Sequence, residues 1–185
     1  MSLPGLTALI GRPWFWATVI GVLFGVPLVR GLTQRNPPSA PPLLGPFPSF
    51  ALASDGGQEF RDLDLHRRTF GAGLLCSDCA EAAERLATMR TLQHRTRNLG
   101  DAVRLVSFSQ KLDAAALREV RGKNAGGQRW ILLAGAPDAT AELFPGANTL
   151  VLVDGDLRIR GRYDADKAGE IDRLLRDTAV LVAVP

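Results

Sequence analysis

The stretch Thr69-Phe70-Gly71-Ala72-Gly73-Leu74-Leu75-Cys76-Ser77-Asp78-Cys79 decides how this chain is read. Its first seven residues are a short apolar run suited to a buried strand. From about residue 77 to 97 the periodicity turns helical, with Ala83, Leu86, Met89 and Leu92 at spacings of three. The chain's two cysteines therefore stand together at a strand-to-helix junction. Unpaired N–H groups at a helix start favour a thiolate, so Cys76 is expected to be the more acidic and more nucleophilic of the two. Cys79, one turn in, is positioned to close a disulfide with it. Asp78 tempers the effect, because a nearby carboxylate disfavours a second negative charge.

Three uses of such a pair compete. A passive disulfide across so small a loop adds little stability. Structural zinc needs four ligands, and only His66 and His94 are available to join, each expected on the surface. Redox or soft-metal chemistry remains as the favoured reading of Cys76 and Cys79.

Outward from this junction the elements follow in order. A small hairpin is expected over 50–60 around Asp55-Gly56-Gly57, a strand over 103–109, and a helix over 114–123 opened by Asp113. A strand over 129–134 and a short helix over 139–144 come next. A hairpin over 149–163 turns at Asp154-Gly155, and a closing helix over 166–177 carries Ile171, Leu174 and Leu175 on one face. This alternation predicts an α/β fold, a mixed sheet with helices on both faces. In the last hairpin Arg158, Arg160 and Arg162 alternate with apolar residues, so period two puts all three on one face: a solvent face or charged edge, or a docking strip for an acidic partner. Trp130 is expected in the core, and Asp138 and Glu142 in solvent.

The N-terminal part has another character. Residues 13–29 are seventeen uncharged residues between Arg12 and Arg30, about 26 Å as a helix, with Trp14 and Trp16 at one end. They are expected to form a single-pass transmembrane anchor. A cleaved signal peptide competes, but Arg12 and the amine make a thin basic region and no clean small-x-small site follows Val29. Charge does not fix the orientation. Residues 30–47, rich in proline, read as a semi-rigid stalk. The expected organisation is a short segment 1–12, an anchor 13–29, a stalk 30–47 and a domain 48–185.

Composition closes off other classes. Of 185 residues 46% are hydrophobic and 22% charged, as in a globular protein. The basic pI of 9.3 comes from the first fifty residues, which hold Arg12, Arg30 and Arg35 and no acid. The remaining 135 residues are charge-balanced, so there is no general hold on a nucleic-acid backbone. No glycine-rich phosphate loop, Ser/His/Asp set or hydrolase-like carboxylate pair is visible.

A Cys-x-x-Cys at such a junction, in this element order, is similar to thioredoxin-like domains. Val103-Arg104-Leu105-Val106-Ser107-Phe108-Ser109, Arg129-Trp130-Ile131-Leu132-Leu133-Ala134-Gly135 and Leu152-Val153-Asp154-Gly155-Asp156-Leu157-Arg158-Ile159-Arg160-Gly161 narrow the resemblance to the SCO/SenC family. That family comprises membrane-anchored copper chaperones and thiol proteins of cytochrome c oxidase assembly. The resemblance covers roughly residues 47–178 and agrees with an anchor and stalk. It implies a thioredoxin-like mixed sheet flanked by helices and a location on the extracytoplasmic, periplasmic side of a membrane. Cys76 and Cys79 are implied as working pair and Cu(I) ligands, with no organic cofactor. The implied partner is a respiratory oxidase subunit or another thiol or copper protein.

The chain departs from the family in two places. Only Ser77 and Asp78 separate the cysteines where the family has three residues, and the place of its copper-binding His falls at Gly146, Ala147 or Asn148, with no His after His94. Cu(I) is soft and can be held by two thiolates; a stable Cu(II) site without imidazole is not expected. Plain thioredoxins have a cis-proline before the Thr-Leu of the facing strand, where this chain has Asn148. A general extracytoplasmic thiol-disulfide oxidoreductase and a non-catalytic assembly subunit of the same fold therefore stay open beside the copper reading.

Overall fold

The computed structural model describes residues 13–33, 39–75, 82–124, 127, 129–136, 138–146 and 148–183; Cys76 and Cys79 lie outside them. The chain falls into two compact units, the second beginning at Ala40.

In the first unit, helix α1 (Pro13–Thr33) covers the stretch expected as an anchor and runs on through Arg30. Trp14, Trp16, Ile20, Val22, Leu23, Phe24 and Val26 are exposed on it. Among the described residues, no helix is long and apolar enough to cross a membrane.

The second unit is built on eight strands: β1 (Gly45–Pro46), β2 (Ala51–Ser54), β3 (Glu59–Arg61), β4 (Thr69–Leu75), β5 (Val103–Ser109), β6 (Trp130–Ala134), β7 (Thr149–Val153) and β8 (Arg158–Asp164). They form one sheet in the order β1-β8-β7-β4-β5-β6-β2-β3. β4, β5 and β6 run parallel; β7 pairs antiparallel with β4, and β8 with β7. The helices are α2 (Ala82–Arg95), α3 (Ala114–Asn124), α4 (Asp138–Ala141) and α5 (Glu170–Ala183). The expected mixed sheet flanked by helices is present, and β4 and β7 have the expected bounds.

The two faces are covered differently. Met89 and Leu92 of α2, Leu117 of α3 and Leu174 of α5 pack with Leu105, Trp130, Leu132, Leu150 and Leu152 on one face. On the other, Phe70, Val106, Phe108, Leu133, Val151 and Val153 meet Phe47, Phe50, Leu65, Leu143 and Phe144. The three long helices thus share one face, while the opposite face is closed by an aromatic cluster from connecting segments beside the short α4. Edge-on ring pairs such as Phe50–Phe108, with centroids 5.2 Å apart, fit that cluster together.

Local chemistry sets several boundaries. The Asp113 carboxylate accepts the Ala116 N–H at 2.8 Å and caps α3, as its position predicted. The last helix begins later than expected, because Gly169 takes a φ of +85° that a helix cannot include. It then continues to Ala183, burying Thr178 and Val180.

β8 departs from simple alternation. Its register with β7 shifts between Leu152 and Val153, which pair with Gly161 and Ile159 and leave Arg160 as an extra, bulged residue. Ile159 consequently lies in the aromatic cluster and Tyr163 in the helix-covered one. The phase change separates the expected one-faced arginine strip: Arg158 and Arg162 are exposed on opposite faces, and Arg160 binds the Asp154 carboxylate at 2.6 Å.

Candidate functional site

The described residues bring the chain to the edge of the Cys-x-x-Cys and resume just after it. β4 is buried except at the half-buried Leu74 and ends at Leu75, 3% exposed. Seven ladder positions with β5 and four with β7 hold it in the middle of the sheet. Leu75 therefore stands at the C-terminal end of the parallel strands, beside Ser109 of β5. In open sheets with parallel strands, that end is where ligands bind.

α2 returns over the same strand. Gly73 makes this close approach possible: a Cβ there would stand 3.3 Å from the Met89 sulfur and 3.3 Å from Leu150. The buried stripe of α2 is Arg85, Met89 and Leu92, spaced four and three apart, whereas Ala83 is exposed and Leu86 half-buried. The expected stripe was right at Met89 and Leu92. It missed Arg85 because a guanidinium reads as a solvent-facing group. The signal was available in its positions four and seven residues before Met89 and Leu92.

Arg85 is held at the end of β4. Its Nη1 donates to the Leu74 carbonyl oxygen at 3.3 Å, and its buried Nε has no hydrogen-bond partner. Asn148 approaches the same place from the other side. The β4–β7 register pairs Gly73 with Leu150, so two more steps set Asn148 beside Leu75. Asn148 is buried, its Nδ2 donates to Asp166 Oδ1 at 2.6 Å, and its Oδ1 is unpartnered. Both residues line a void of about 10 Å³ with Gly73, Leu74, Thr88 and Thr149, room for about one water. On the other flank, an apolar cleft of about 370 Å³ runs from Leu75 between α2 and α3, past Leu86, Leu112, Ala116 and Val120. A separate cleft of about 480 Å³ lies at the opposite end of β4, against Thr69, Asp154 and Arg160.

His66 and His94 are both exposed, as are Asp138 and Glu142, and Trp130 is core. The Trp130 indole N–H donates to Ser107 Oγ at 2.9 Å, an additional tie between β5 and β6. Among the described residues, no group of three or more His, Cys, Asp or Glu side chains is placed to hold a metal. Of Gly146, Ala147 and Asn148, the residues expected at the place of the family's imidazole, Asn148 is buried and its NH2 is committed to Asp166.

No family model and no curated protein matches this chain. Solved structures do. The domain has a thioredoxin-like fold. It superimposes with a TM-score of 0.67 on BsSco, a member of the Sco family of cytochrome c oxidase assembly proteins with a disulfide switch, at 16% identity over 80% of this chain and 100% of that one. Copper-bound ScoI from Bradyrhizobium japonicum gives a TM-score of 0.57 at 13% identity, covering 73% of this chain and 98% of the other. A thioredoxin-family thiol:disulfide interchange protein from Chlorobium tepidum gives 0.57 at 12% identity, over 78% and 98%.

Proposed function

We propose that this chain is a divergent member of the SCO/SenC family, with Cys76 and Cys79 as the working pair. In this reading it carries Cu(I), and exchanges thiols, during assembly of a respiratory oxidase on the extracytoplasmic side of a membrane. The observation that carries the proposal is the placement of β4. A central strand, buried except at the half-buried Leu74, ends at Leu75 at the C-terminal end of the parallel strands, and Cys76 is the next residue in the sequence. The likeness in fold to Sco proteins, one of them copper-bound, supports this reading.

Copper is the cargo. Two thiolates match the softness of Cu(I) and its tolerance of low coordination, and the ion would pass to an acceptor by exchange of one sulfur ligand at a time. With Gly146, Ala147 or Asn148 in place of an imidazole, Cu(II) is not a fitting cargo. The redox reading uses the same atoms: a Cys76 thiolate attacks a target disulfide, and Cys79 resolves the mixed disulfide while the target leaves as a dithiol. The two-residue spacing of the cysteines favours this second reading.

The domain over 48–185 would be held by an anchor over 13–29 and a spacer over 30–47. The apolar side chains exposed on α1 support membrane association. The test is competition of the reduced full-length chain, in detergent, for Cu(I) against a colorimetric chelator of known affinity, with the disulfide potential measured in parallel. Tight binding lost in both Cys76→Ser and Cys79→Ser is the expected result. No Cu(I) binding together with a potential near about −200 mV would make it a thiol exchange protein instead. Inertness in both assays would leave a non-catalytic assembly subunit.

A further inference from the structure

We propose that Arg68, Arg104 and Arg129 form a binding site for a phosphate group at the N-terminal end of the parallel strands, the end opposite Leu75. The site is independent of the copper and thiol readings.

Three adjacent strands bring the arginines together. Arg104 is the second residue of β5 and pairs with Phe70 of β4. Arg129 immediately precedes β6, where its carbonyl accepts the Leu105 N–H at 2.9 Å, and Arg68 immediately precedes β4. Counting by two from Val106 and Phe108 puts Arg104 on the aromatic face, and the same count from Ile131 and Leu133 puts Arg129 there.

Arg104 is the unexplained member. Its side chain is 14% exposed, and among the described residues it makes no hydrogen bond; its Nε is fully buried without a partner. A guanidinium has five N–H donors and no acceptor, so burial without an anion is unfavourable. The one carboxylate near it, Asp101, stands 3.6 Å from Nη1 and is 86% exposed, a pairing that water weakens. Burial first, and then the charge of Arg68, hold the Arg104 guanidinium below its ordinary pKa; Asp101 opposes them and Arg129 adds to them. Arg129 gives its Nη1 to the Arg97 and Gly100 carbonyls at 3.2 and 2.9 Å, which fixes its place without neutralising it.

Three positive charges against one negative leave the cluster short of anionic charge. A phosphate group fits that deficit: it carries one or two negative charges and several oxygens, and guanidinium forks pair with it two bonds at a time. The Nη edge of Arg104, which reaches toward the exposed Asp101, is the edge that would take it. The source is a lipid headgroup or a free phosphate. This end of the sheet also receives the chain from its N-terminal part, since Ala40 lines the cleft there with Arg67 and Ala102.

The experiment is titration calorimetry on the full-length chain in a maltoside detergent, at fixed pH and with ionic strength held constant by chloride. Inorganic phosphate is one ligand. Dioctanoyl phosphatidic acid is the other, against dioctanoylglycerol, which lacks the phosphate. The parent is compared with Arg104→Met and Arg68→Gln, with melting curves confirming that each folds; Arg104→Gln replaces the Met variant if that one does not. The expected result is binding of at least one phosphate ligand, weakened about ten-fold or more by Arg104→Met and about three-fold by Arg68→Gln. Binding of phosphatidic acid alone identifies a lipid headgroup as the source, and binding of inorganic phosphate identifies a free one. No binding of either ligand by the parent overturns the inference, and so does parent affinity retained in either variant.

Discussion

Replacing Tyr163 by Phe isolates one contact between α5 and the sheet. Tyr163 is 2% exposed, and its hydroxyl donates to Asp177 Oδ2 at 2.6 Å. Arg173 lies 5.7 Å from the ring centroid. A hydrogen bond to an ionised acceptor contributes about 1.5–3 kcal/mol. Asp177 is only half-buried and can recruit water once the hydroxyl is gone, so the lower end applies: about 1.5 kcal/mol, or about 3–6 °C in Tm for a domain of this size. Urea unfolding followed by tryptophan fluorescence should show a lower midpoint with an unchanged slope.

The pH dependence of that difference is a sharper check. Burial first, and then the hydrogen bond and charge of Asp177, push the Tyr163 hydroxyl pKa well above its ordinary value of 10, with Arg173 acting weakly the other way. The folded state therefore keeps the proton at a pH where the unfolded chain loses it. Stability from this group is complete below about pH 10 and falls as pH rises from there toward the folded-state pKa. The parent should lose more stability than the Phe variant above pH 10, and the gap between them should close. Tyr163 is the chain's single tyrosine, so absorbance at 295 nm reports it directly, and phenolate should appear with unfolding rather than ahead of it. A Phe variant as stable as the parent at pH 7, or a gap that does not narrow, would refute the reasoning.

Substitutions at two further positions test the same hairpin. A Cβ on Gly161 would lie 2.6 Å from two carbons of the Tyr163 ring, so Gly161→Ala should cost more than Tyr163→Phe, about 2–3 kcal/mol by the same denaturation assay. Asp154 accepts from the Asp156 and Arg158 backbone N–H groups and from Arg160 Nε, at 3.0, 2.9 and 2.6 Å. Asp154→Ala should destabilise by about 2–4 kcal/mol and speed hydrogen exchange at the Asp156 and Arg158 amides, whereas Asp154→Asn, which keeps one acceptor oxygen, should do about half as much.

The central elements were legible because they are made of contiguous, strongly patterned residues. After their opening threonines, Thr69–Leu75 and Thr149–Val153 are uninterrupted apolar runs of the kind a buried strand needs. What escaped the sequence depended on tertiary pairing. Gly45–Pro46 has no strand pattern; it is a strand because β8 offers it a partner. The tail Thr178–Ala183 mixes β-branched residues with alanine, and only its packing on the sheet makes it helical. The arginine strip followed from strict alternation, and one inserted residue at Arg160 undid it. Before the cysteines the sequence found the strand, and the junction itself lies outside the described residues. Arg85 and Asn148 were hidden because burial, which gives them meaning, depends on which elements lie above and beside them.

The two residues of β1 have a consequence for solubility. β8 would otherwise present an open row of N–H and C=O groups along Leu157 and Ile159. The Leu44 and Phe47 amides close it, each at 2.8 Å. Pro46, which has no N–H to offer, turns the outer side of that seam into a poor template for a second chain. A truncation that starts after Phe47 removes both the seam and an aromatic plug, so its characteristic failure should be edge-to-edge association between copies of itself.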